Sequence, residues 1–233
     1  MDRVTGIPEL LDGPLDDEAA LIGNLRDFRR LNRLDGGTEL SRRAIDALAE
    51  HGRPIESVLD VGTGGADIPV ALLAGATRAG RSLQVTAIDS RPEVLAAASA
   101  ARPGLETLAG LRLEVADGRS LQYPDAAFDV AHASMVVHHL SPEEAVAFLR
   151  ELRRVARRGI VVNDLVRGRV YWLGAWVVVH AAAESRFTRH DGPLSVRRAY
   201  SRRELRELVR EADLHSVRTV VGFAGHRVAI AAR

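Results

Sequence analysis

The chain has no cysteine and no lysine. The missing thiol excludes a disulfide framework, a cysteine nucleophile and a cysteine-based zinc site. The missing amine excludes Schiff-base chemistry and the phosphate-binding lysine of a P-loop. The 32 basic residues, all arginine, are balanced by 31 acids, which leaves a formal charge of +1. No basic excess therefore predicts binding to nucleic acid or to an anionic membrane.

Long apolar runs are also scarce. The first residues, Met-Asp-Arg-Val, lack the apolar stretch of a secretion signal, so we expect a cytoplasmic protein. The apolar segment 170–183 is shorter than the roughly 20 residues of a transmembrane helix, and no stable membrane insertion is expected. A length of 233 residues with 46% hydrophobic content predicts one globular domain.

Strand patterns and helix patterns alternate through most of the sequence. We predict strands at 55–61, 83–88, 111–116, 128–133, 160–165, 216–221 and 227–232. We predict helices at 17–35, 39–50, 68–79, 93–101, 141–157 and 201–212, the second of them ending at His51-Gly52. The short connection between the last two strands permits only an antiparallel pair. The pattern predicts an α/β fold with a mainly parallel sheet covered by helices on both faces.

The strongest local signal is the glycine-rich segment Gly62-Thr63-Gly64, which follows a predicted buried strand. Glycines at this place let a ligand approach the backbone at the carboxyl edge of the sheet. Asp67 stands where a dinucleotide-binding turn has its third glycine, and an acid at a helix start disfavours a pyrophosphate. The turn is therefore predicted to face a nucleoside without phosphates, although a purely structural strand–helix turn is the alternative.

Three neighbouring strands are each associated with an acid near their carboxyl end, Asp60, Asp89 and Asp117. A carboxylate at the second strand is placed to accept hydrogen bonds from a ribose diol. The third carboxylate could accept from an exocyclic amine while the next backbone N–H serves a ring nitrogen. A single acid after a strand is more often a cap or turn residue, but three in succession beside the glycine turn favour a nucleoside site.

These segments, LDVGTGGAD, AIDS, VADG and FDVAHASMVVHHL, resemble the motifs of class I S-adenosylmethionine-dependent methyltransferases. The resemblance spans about residues 55–165 and is nearest to the small-molecule branch that is similar to ubiquinone and menaquinone methyltransferases. The segments NRLDGG and RHDGPLSVRRAY resemble those of methyltransferases for polyketide-type products. The resemblance implies a Rossmann-like seven-stranded sheet of order 3-2-1-4-5-7-6 with the last strand antiparallel.

The resemblance also implies a set of S-adenosyl-L-methionine-binding residues. They are Gly62, Thr63 and Gly64 at the methionine part, Asp60 at its amino group, Asp89 at the ribose, Ser90 beside the adenine, Asp117 and Gly118 at the adenine edge, and Ala133 beside the sulfonium. Arg33 is a candidate partner of the cofactor carboxylate, and a solvated arginine at a helix end is the alternative.

Histidines after the fourth strand are the candidate bases. Imidazole titrates near neutral pH, so His139, with its neighbour His138, is placed to orient or deprotonate an acceptor. His190, in a predicted loop bounded by glycine and proline, is the rival base. For each of these histidines a structural role is the alternative. Metal-assisted catechol methylation needs an Asp-Asn pair after the fifth strand, and the reversed order of 163–164 predicts no metal site.

Residues 166–200 are predicted to form a substrate lid between the cofactor core, 53–165, and the C-terminal unit, 201–233. Residues 1–52 would form a helical cap. Trp172 and Trp176 stand four apart and share a helical face, so with Met135 they are candidate substrate contacts. The alternative for this segment is a core or dimer-interface helix.

The sequence as a whole predicts methyl transfer to a small, aromatic or polyketide-type acceptor, on oxygen before carbon. The nucleic-acid enzymes of this kind carry an Asp/Asn-Pro-Pro-aromatic turn or a cysteine, and residues 133–136 have neither, so no nucleic-acid partner is expected. The alternatives are a nicotinamide-dependent oxidoreductase and a non-catalytic cofactor-binding module. We expect a monomer or a homodimer.

Overall fold

The computed structural model describes residues 1–50 and 53–233. The strands in this part are β1 Ser57–Val61, β2 Gln84–Asp89, β3 Leu111–Val115, β4 Phe128–Ser134, β5 Ala156–Leu165, β6 Ser216–Val221 and β7 Arg227–Ala232. The α-helices are α1 Glu18–Leu34, α2 Gly37–Asp46, α3 Asp67–Arg78, α4 Pro92–Ala101, α5 Pro142–Val155, α6 Arg169–Ala182, α7 Arg186–Arg198 and α8 Arg202–Glu211. Short 3-10 turns occupy Leu10–Asp12, Val137–His139 and Phe223–Gly225.

The seven strands form one sheet in the order β3-β2-β1-β4-β5-β7-β6. The first five are parallel, and β7 pairs antiparallel with both β5 and β6. The predicted sheet order and its antiparallel last strand are therefore confirmed. Parallel strands place all their carboxyl ends at one edge, so the loops that follow β1, β2, β3 and β4 lie side by side.

Helices cover the sheet on both faces, as the buried, β-branched strands require. Helices α5 and α8 pack on one face, where Leu59 and Ile160 are fully buried. Helices α2 and α3 cover the other face, against Val58 and Val161. A third cluster joins α1, α4 and α7 around Leu21 beyond the carboxyl edge of β1 and β2. Within this cluster α1 lies beside the loop after β1, because Cβ of Leu25 is 3.6 Å from the Cβ position of Gly65.

Local sequence signals explain where several helices begin. Asp17 accepts a hydrogen bond from the backbone N–H of Ala20 and caps the start of α1. Ser141 and Glu144 form a reciprocal capping box at the start of α5. The second predicted helix ends earlier than expected, at Asp46, and its predicted end at His51-Gly52 lies outside the described residues.

One predicted loop is wrong: residues 189–193 are part of α7, although this segment contains Gly192 and Pro193. The packing of α7 on α6 explains the difference. A Cβ on Gly192 would lie 2.9 Å from Cγ1 of Val179, so the glycine lets the two helices approach closely. None of the helices in the part of the chain that the structure describes is long and apolar enough to cross a membrane.

Candidate functional site

The glycine-rich turn after β1 presents bare backbone at the carboxyl edge of the sheet. Gly62 and Gly64 have φ values of +69° and +53°, a conformation that favours glycine. A Cβ on Gly62 would also lie 2.5 Å from a methyl group of Val136. The backbone N–H of Thr63 donates to the carbonyl of Ile88 at 2.9 Å, whereas its buried Oγ1 has no hydrogen-bond partner in the structure. A buried hydroxyl without a partner is the feature expected where a ligand completes the hydrogen bonding.

Asp89, at the end of β2, is directed to this turn. Its carboxylate accepts hydrogen bonds from the backbone N–H groups of Gly64 and Arg91, each at 3.1 Å. Burial raises the pKa of Asp89 above its usual value. Ser90, the next residue, is exposed. Asp89, the residue predicted to bind the ribose, thus lies against the glycine turn, with Ser90 on the solvent side.

The loop after β3 completes the edge. Asp117 is exposed and forms an ion pair with Arg119 at 2.9 Å, and this contact lowers the pKa of the carboxyl group. A Cβ on Gly118 would lie 2.3 Å from Cγ1 of Val61, so only glycine lets this loop lie so close to β1. The structure therefore brings the second and third predicted acids to the same edge as the glycine turn.

The first predicted acid, Asp60, is buried and belongs to a chain of hydrogen bonds. Its Oδ1 lies 2.5 Å from Nδ1 of His132, and Nε2 of His132 lies 2.7 Å from Oγ of Ser41. The side-chain amide of Asn163 donates to the same Oγ at 2.8 Å. Asp60, His132, Ser41 and Asn163 therefore form one buried hydrogen-bonded network. This network fixes the position of the Asp60 carboxyl group beneath the glycine turn.

The NRLDGG segment binds a buried arginine rather than the glycine turn. Arg227, on β7, donates to Asn32 Oδ1 at 2.6 Å and lies 3.3 Å from Asp35 Oδ2. A Cβ on Gly37 would lie 2.2 Å from Nη1 of Arg227, so this glycine makes room for the guanidinium. Arg33 is exposed in the last turn of α1, and its predicted contact with a cofactor carboxylate stays a prediction.

The end of β4 and the residue after it lie between the glycine turn and the Arg227 network. Ser134 Oγ accepts a hydrogen bond from Nη2 of Arg227 at 2.8 Å, and Ala133 is buried in the sheet beneath it. Met135 has a φ of +60°, which is unusual for a residue with a side chain. Its backbone N–H donates to the carbonyl of Asn163 at 2.9 Å, which holds the strained turn in place. Strain of this kind occurs preferentially at functional sites.

His138 and His139 lie on the 3-10 turn that follows. His138 is buried, and its Nδ1 lies 2.7 Å from Oδ1 of Asp164. His139 is partly exposed, and its Nδ1 lies 3.0 Å from Oδ1 of Asp12. The remaining ring nitrogens, both Nε2, face the carboxylate of Glu9 at 3.6 and 3.7 Å. Neither predicted base is therefore directed freely into an open cleft.

The N-terminal segment supplies the two acids at this turn. The carboxylate of Asp191 accepts hydrogen bonds from the backbone N–H groups of Leu10 and Leu11, which fastens the segment to α7. Arg198, also on α7, binds Asp12 at 2.8 Å. Burial raises the pKa of Glu9 to about 7. The segment thus covers the histidine turn, an arrangement that no local pattern in the sequence predicts.

The structure places the rival base elsewhere. His190 lies on α7, not in a loop, with its side chain half exposed and 2.7 Å from Asp191. It lines an open groove with Trp176, whose ring stacks on His180 at 4.4 Å between centroids. Trp172 is half-buried one turn earlier on α6. These three residues therefore share the predicted lid, but His190 is separate from the histidine turn.

Comparison with known proteins gives one family match and many structural ones. Residues 59–162 match the family model described as a methyltransferase domain. No curated protein sequence matches the chain significantly.

Three solved structures illustrate the structural likeness. An S-adenosylmethionine-dependent methyltransferase from Aquifex aeolicus has a TM-score of 0.63 and 20% identity, covering 91% of this chain and 97% of that one. An O-methyltransferase family 2 protein from Planctomyces limnophilus, in complex with apigenin, has a TM-score of 0.62 and 18% identity, covering 94% and 62%. The mitomycin 7-O-methyltransferase has a TM-score of 0.59 and 19% identity, covering 93% and 60%. This chain therefore spans about three fifths of the length of the two O-methyltransferases.

Proposed function

We propose that the chain transfers a methyl group from S-adenosylmethionine to an oxygen atom of a small aromatic or polyketide-type acceptor. The match of residues 59–162 to a methyltransferase domain supports the reaction class. Methylation on carbon is the second choice. The likeness to proteins described as O-methyltransferases, one of them holding the flavonoid apigenin, supports the choice of acceptor. The observation that carries the proposal is the unpaired, buried hydroxyl of Thr63, which lies beside two glycines and Asp89 at the carboxyl edge of the sheet. We call this place the cofactor edge.

The residues at this edge fit S-adenosylmethionine. We propose that Thr63 and the backbone of Gly62 and Gly64 hold the methionine part, with Asp60 at its amino group. Asp89 is proposed to accept from the ribose hydroxyls, and Asp117 with Gly118 to contact the adenine. When bound, the cofactor supplies a methyl group activated by a positively charged sulfur.

Charge at the start of α3 supports this choice of cofactor over a dinucleotide. Asp67 is the first residue of α3, and its carboxylate accepts a hydrogen bond from Asn32 at 2.8 Å. Burial raises the pKa of Asp67, and the nearby Asp60 raises it further. An acidic helix start repels a pyrophosphate, which argues against the nicotinamide alternative.

We propose that the acceptor lies above β4, between the histidine turn and the lid formed by 166–200. Ser134 and Met135 would form the floor, and Trp172 and Trp176 are the proposed apolar contacts. Methyl transfer is an in-line displacement, so holding the acceptor atom in line can supply about 7–11 kcal/mol of the barrier reduction. The role of His139, His138 or His190 as a base stays a prediction, because the first two face the carboxylate of Glu9 and His190 lies in a separate groove.

Calorimetric titration tests the cofactor. We expect S-adenosylhomocysteine to bind and NADH not to bind. Asp89→Ala should weaken this binding about 10- to 100-fold, because a charged hydrogen bond is worth roughly 1.5–3 kcal/mol. Asp125→Ala, which removes an exposed carboxylate paired with Arg154, is the matched control and should leave the affinity unchanged.

Incubation with methyl-labelled S-adenosylmethionine and a panel of phenols then tests the reaction. Label in an ether product is the expected result. Binding of NADH in place of S-adenosylhomocysteine would overturn the proposed cofactor, and label on a ring carbon would replace oxygen by carbon as the target.

A further inference from the structure

Three side chains converge at the histidine turn with their donor atoms facing one another. They are His138, His139 and Glu9, and their ligand atoms all lie within 4.8 Å of one another. The two distances from histidine Nε2 to a Glu9 oxygen, 3.6 and 3.7 Å, exceed a hydrogen bond. No direct hydrogen bond therefore joins Glu9 to Nε2 of either histidine.

Both histidines are oriented by carboxylates on their other nitrogen. Asp164 lies 2.7 Å from Nδ1 of His138, and Asp12 lies 3.0 Å from Nδ1 of His139. In a neutral imidazole whose Nδ1–H donates to a carboxylate, Nε2 carries the lone pair, and this pairing is the usual second layer around histidines that bind a metal. Both adjacent histidines show this pairing, and both face a further carboxylate, that of Glu9. This arrangement is the main observation behind the proposal.

Carboxyl groups predominate among the charged side chains that contact this cluster, which favours a bound cation. Glu9, Asp12 and Asp164 contribute three carboxylates, and Arg198 is the guanidinium that contacts two of them, at 4.0 Å from Glu9 and 2.8 Å from Asp12. Three carboxyl groups and one guanidinium group therefore surround the turn. Glu9 is only 3% exposed, so water does little to stabilise a negative charge on it.

We propose that His138, His139 and Glu9 bind one divalent transition-metal ion of the zinc type. Two imidazoles and one carboxylate form a ligand set that zinc takes when a fourth position stays open. Bond lengths of about 2.0–2.2 Å at a tetrahedral angle put ligands about 3.4 Å apart. Nε2 of His138 lies 3.6 Å from Oε1 of Glu9, and Nε2 of His139 lies 3.7 Å from Oε2, so each histidine faces one carboxylate oxygen at close to this separation. Nitrogen donors disfavour magnesium, which prefers oxygen.

The role of the site rests on the proposed function. An acceptor oxygen would reach an ion held at the end of β4 on the side of His139, whose side chain is 27% exposed, because Glu9 and His138 are buried. His138 and His139 would then be ligands and not the bases predicted from the sequence. The sequence-based prediction of no metal site rested on the order of residues 163–164 after the fifth strand. The site proposed here instead uses Glu9 from the N-terminal segment as a ligand, with Asp164 in the second layer.

Calorimetry on the full chain after treatment with a chelator tests the site with Zn²⁺ as the probe. We expect one equivalent to bind, and Mg²⁺ at the same concentration not to compete. Glu9→Gln and His139→Asn should each weaken binding about 100-fold or more. Asp12→Asn, in the second layer, should weaken it about 10- to 100-fold. His215→Asn, which removes an exposed histidine outside the cluster, is the matched control and should bind like the unchanged protein.

Co²⁺ provides a second readout, because its visible absorption reports tetrahedral nitrogen and oxygen ligands. Circular dichroism checks that each variant is folded. Absence of stoichiometric Zn²⁺ binding to the unchanged chain, or equal affinity in Glu9→Gln and His215→Asn, would overturn the proposal. The two proposals fail separately: methyl transfer without bound metal refutes only the metal site, and metal binding without methyl transfer refutes only the enzymatic function.

Discussion

Replacing Arg227 by methionine is the sharpest test of how the sheet is joined to the N-terminal helices. The guanidinium is 2% exposed and contacts groups from three separate parts of the chain. It donates to Asn163 at 2.8 Å, Ser134 at 2.8 Å and Asn32 at 2.6 Å, and it lies 3.3 Å from Asp35. Methionine keeps much of the length of the side chain but makes none of these contacts.

We expect the free energy of unfolding to fall by about 3–5 kcal/mol, the usual cost of removing one partner of a buried ion pair. The neutral acceptors add to the cost, since a buried acceptor without a partner costs roughly 1–3 kcal/mol. Asp35 limits the total, because it is 24% exposed and can regain water. For a chain of this length the loss corresponds to a fall in Tm of roughly 6–20 °C.

Urea and thermal unfolding measure the change. Arg218→Met, on the neighbouring strand β6, removes an exposed guanidinium and should cost less than about 0.5 kcal/mol. Arg227→Lys should fall between the two, because an ammonium cannot reproduce the forked contacts. A loss below about 1 kcal/mol for Arg227→Met, or one equal to that of Arg218→Met, would refute the assigned network.

Two further predictions concern a glycine and a histidine. Gly118→Ala places a Cβ 2.3 Å from Cγ1 of Val61, so it should cost about 1–3 kcal/mol of stability and weaken cofactor binding. Gly174→Ala has open space around it and should stabilise α6 by roughly 0.5–1 kcal/mol. Thermal unfolding that shows a change of the same sign for both variants would contradict this. His226 has a raised pKa because of the Asp35 carboxylate, so its contribution to stability is complete below the unfolded pKa of about 6.5 and is lost as the pH rises through the folded value. His226→Gln should therefore lower stability by less than about 1 kcal/mol at pH 5.5 and hardly at all at pH 9, and a cost that is constant with pH would exclude the ion pair.

The sheet and the cofactor edge could be predicted because their signals are local. Strand β1 is a short apolar run that ends at glycines, and positive φ at Gly62 and Gly64 is the conformation for which glycine is used. Helix α7 could not be predicted in this way. Asp191 looks like a turn residue in the sequence, but its buried carboxylate binds backbone N–H groups of the N-terminal segment. Tertiary contacts of this kind override local propensity.

The histidine turn was predicted, whereas its partners were not. His138 and His139 follow a recognisable strand, but Glu9 and Asp12 are separated from them by more than a hundred residues. No periodicity or spacing connects such distant positions in a single sequence. Arg227 was missed for the same reason, since it resembles any arginine at the start of a strand until the fold places Asn32 beside it.

The grouping of acids around the glycine turn has a consequence for turnover. Burial raises the pKa of Asp67 and of Asp89, and the nearby Asp60 raises both further, so the three carboxyl groups lie close to one another. The floor of the cofactor groove is therefore acidic. The methyl donor carries one more positive charge than the thioether left after transfer, so the same floor attracts the donor more strongly than the spent product. We expect the groove to discriminate by charge between the two and so to favour product release, which a comparison of their dissociation constants at low and high salt would measure.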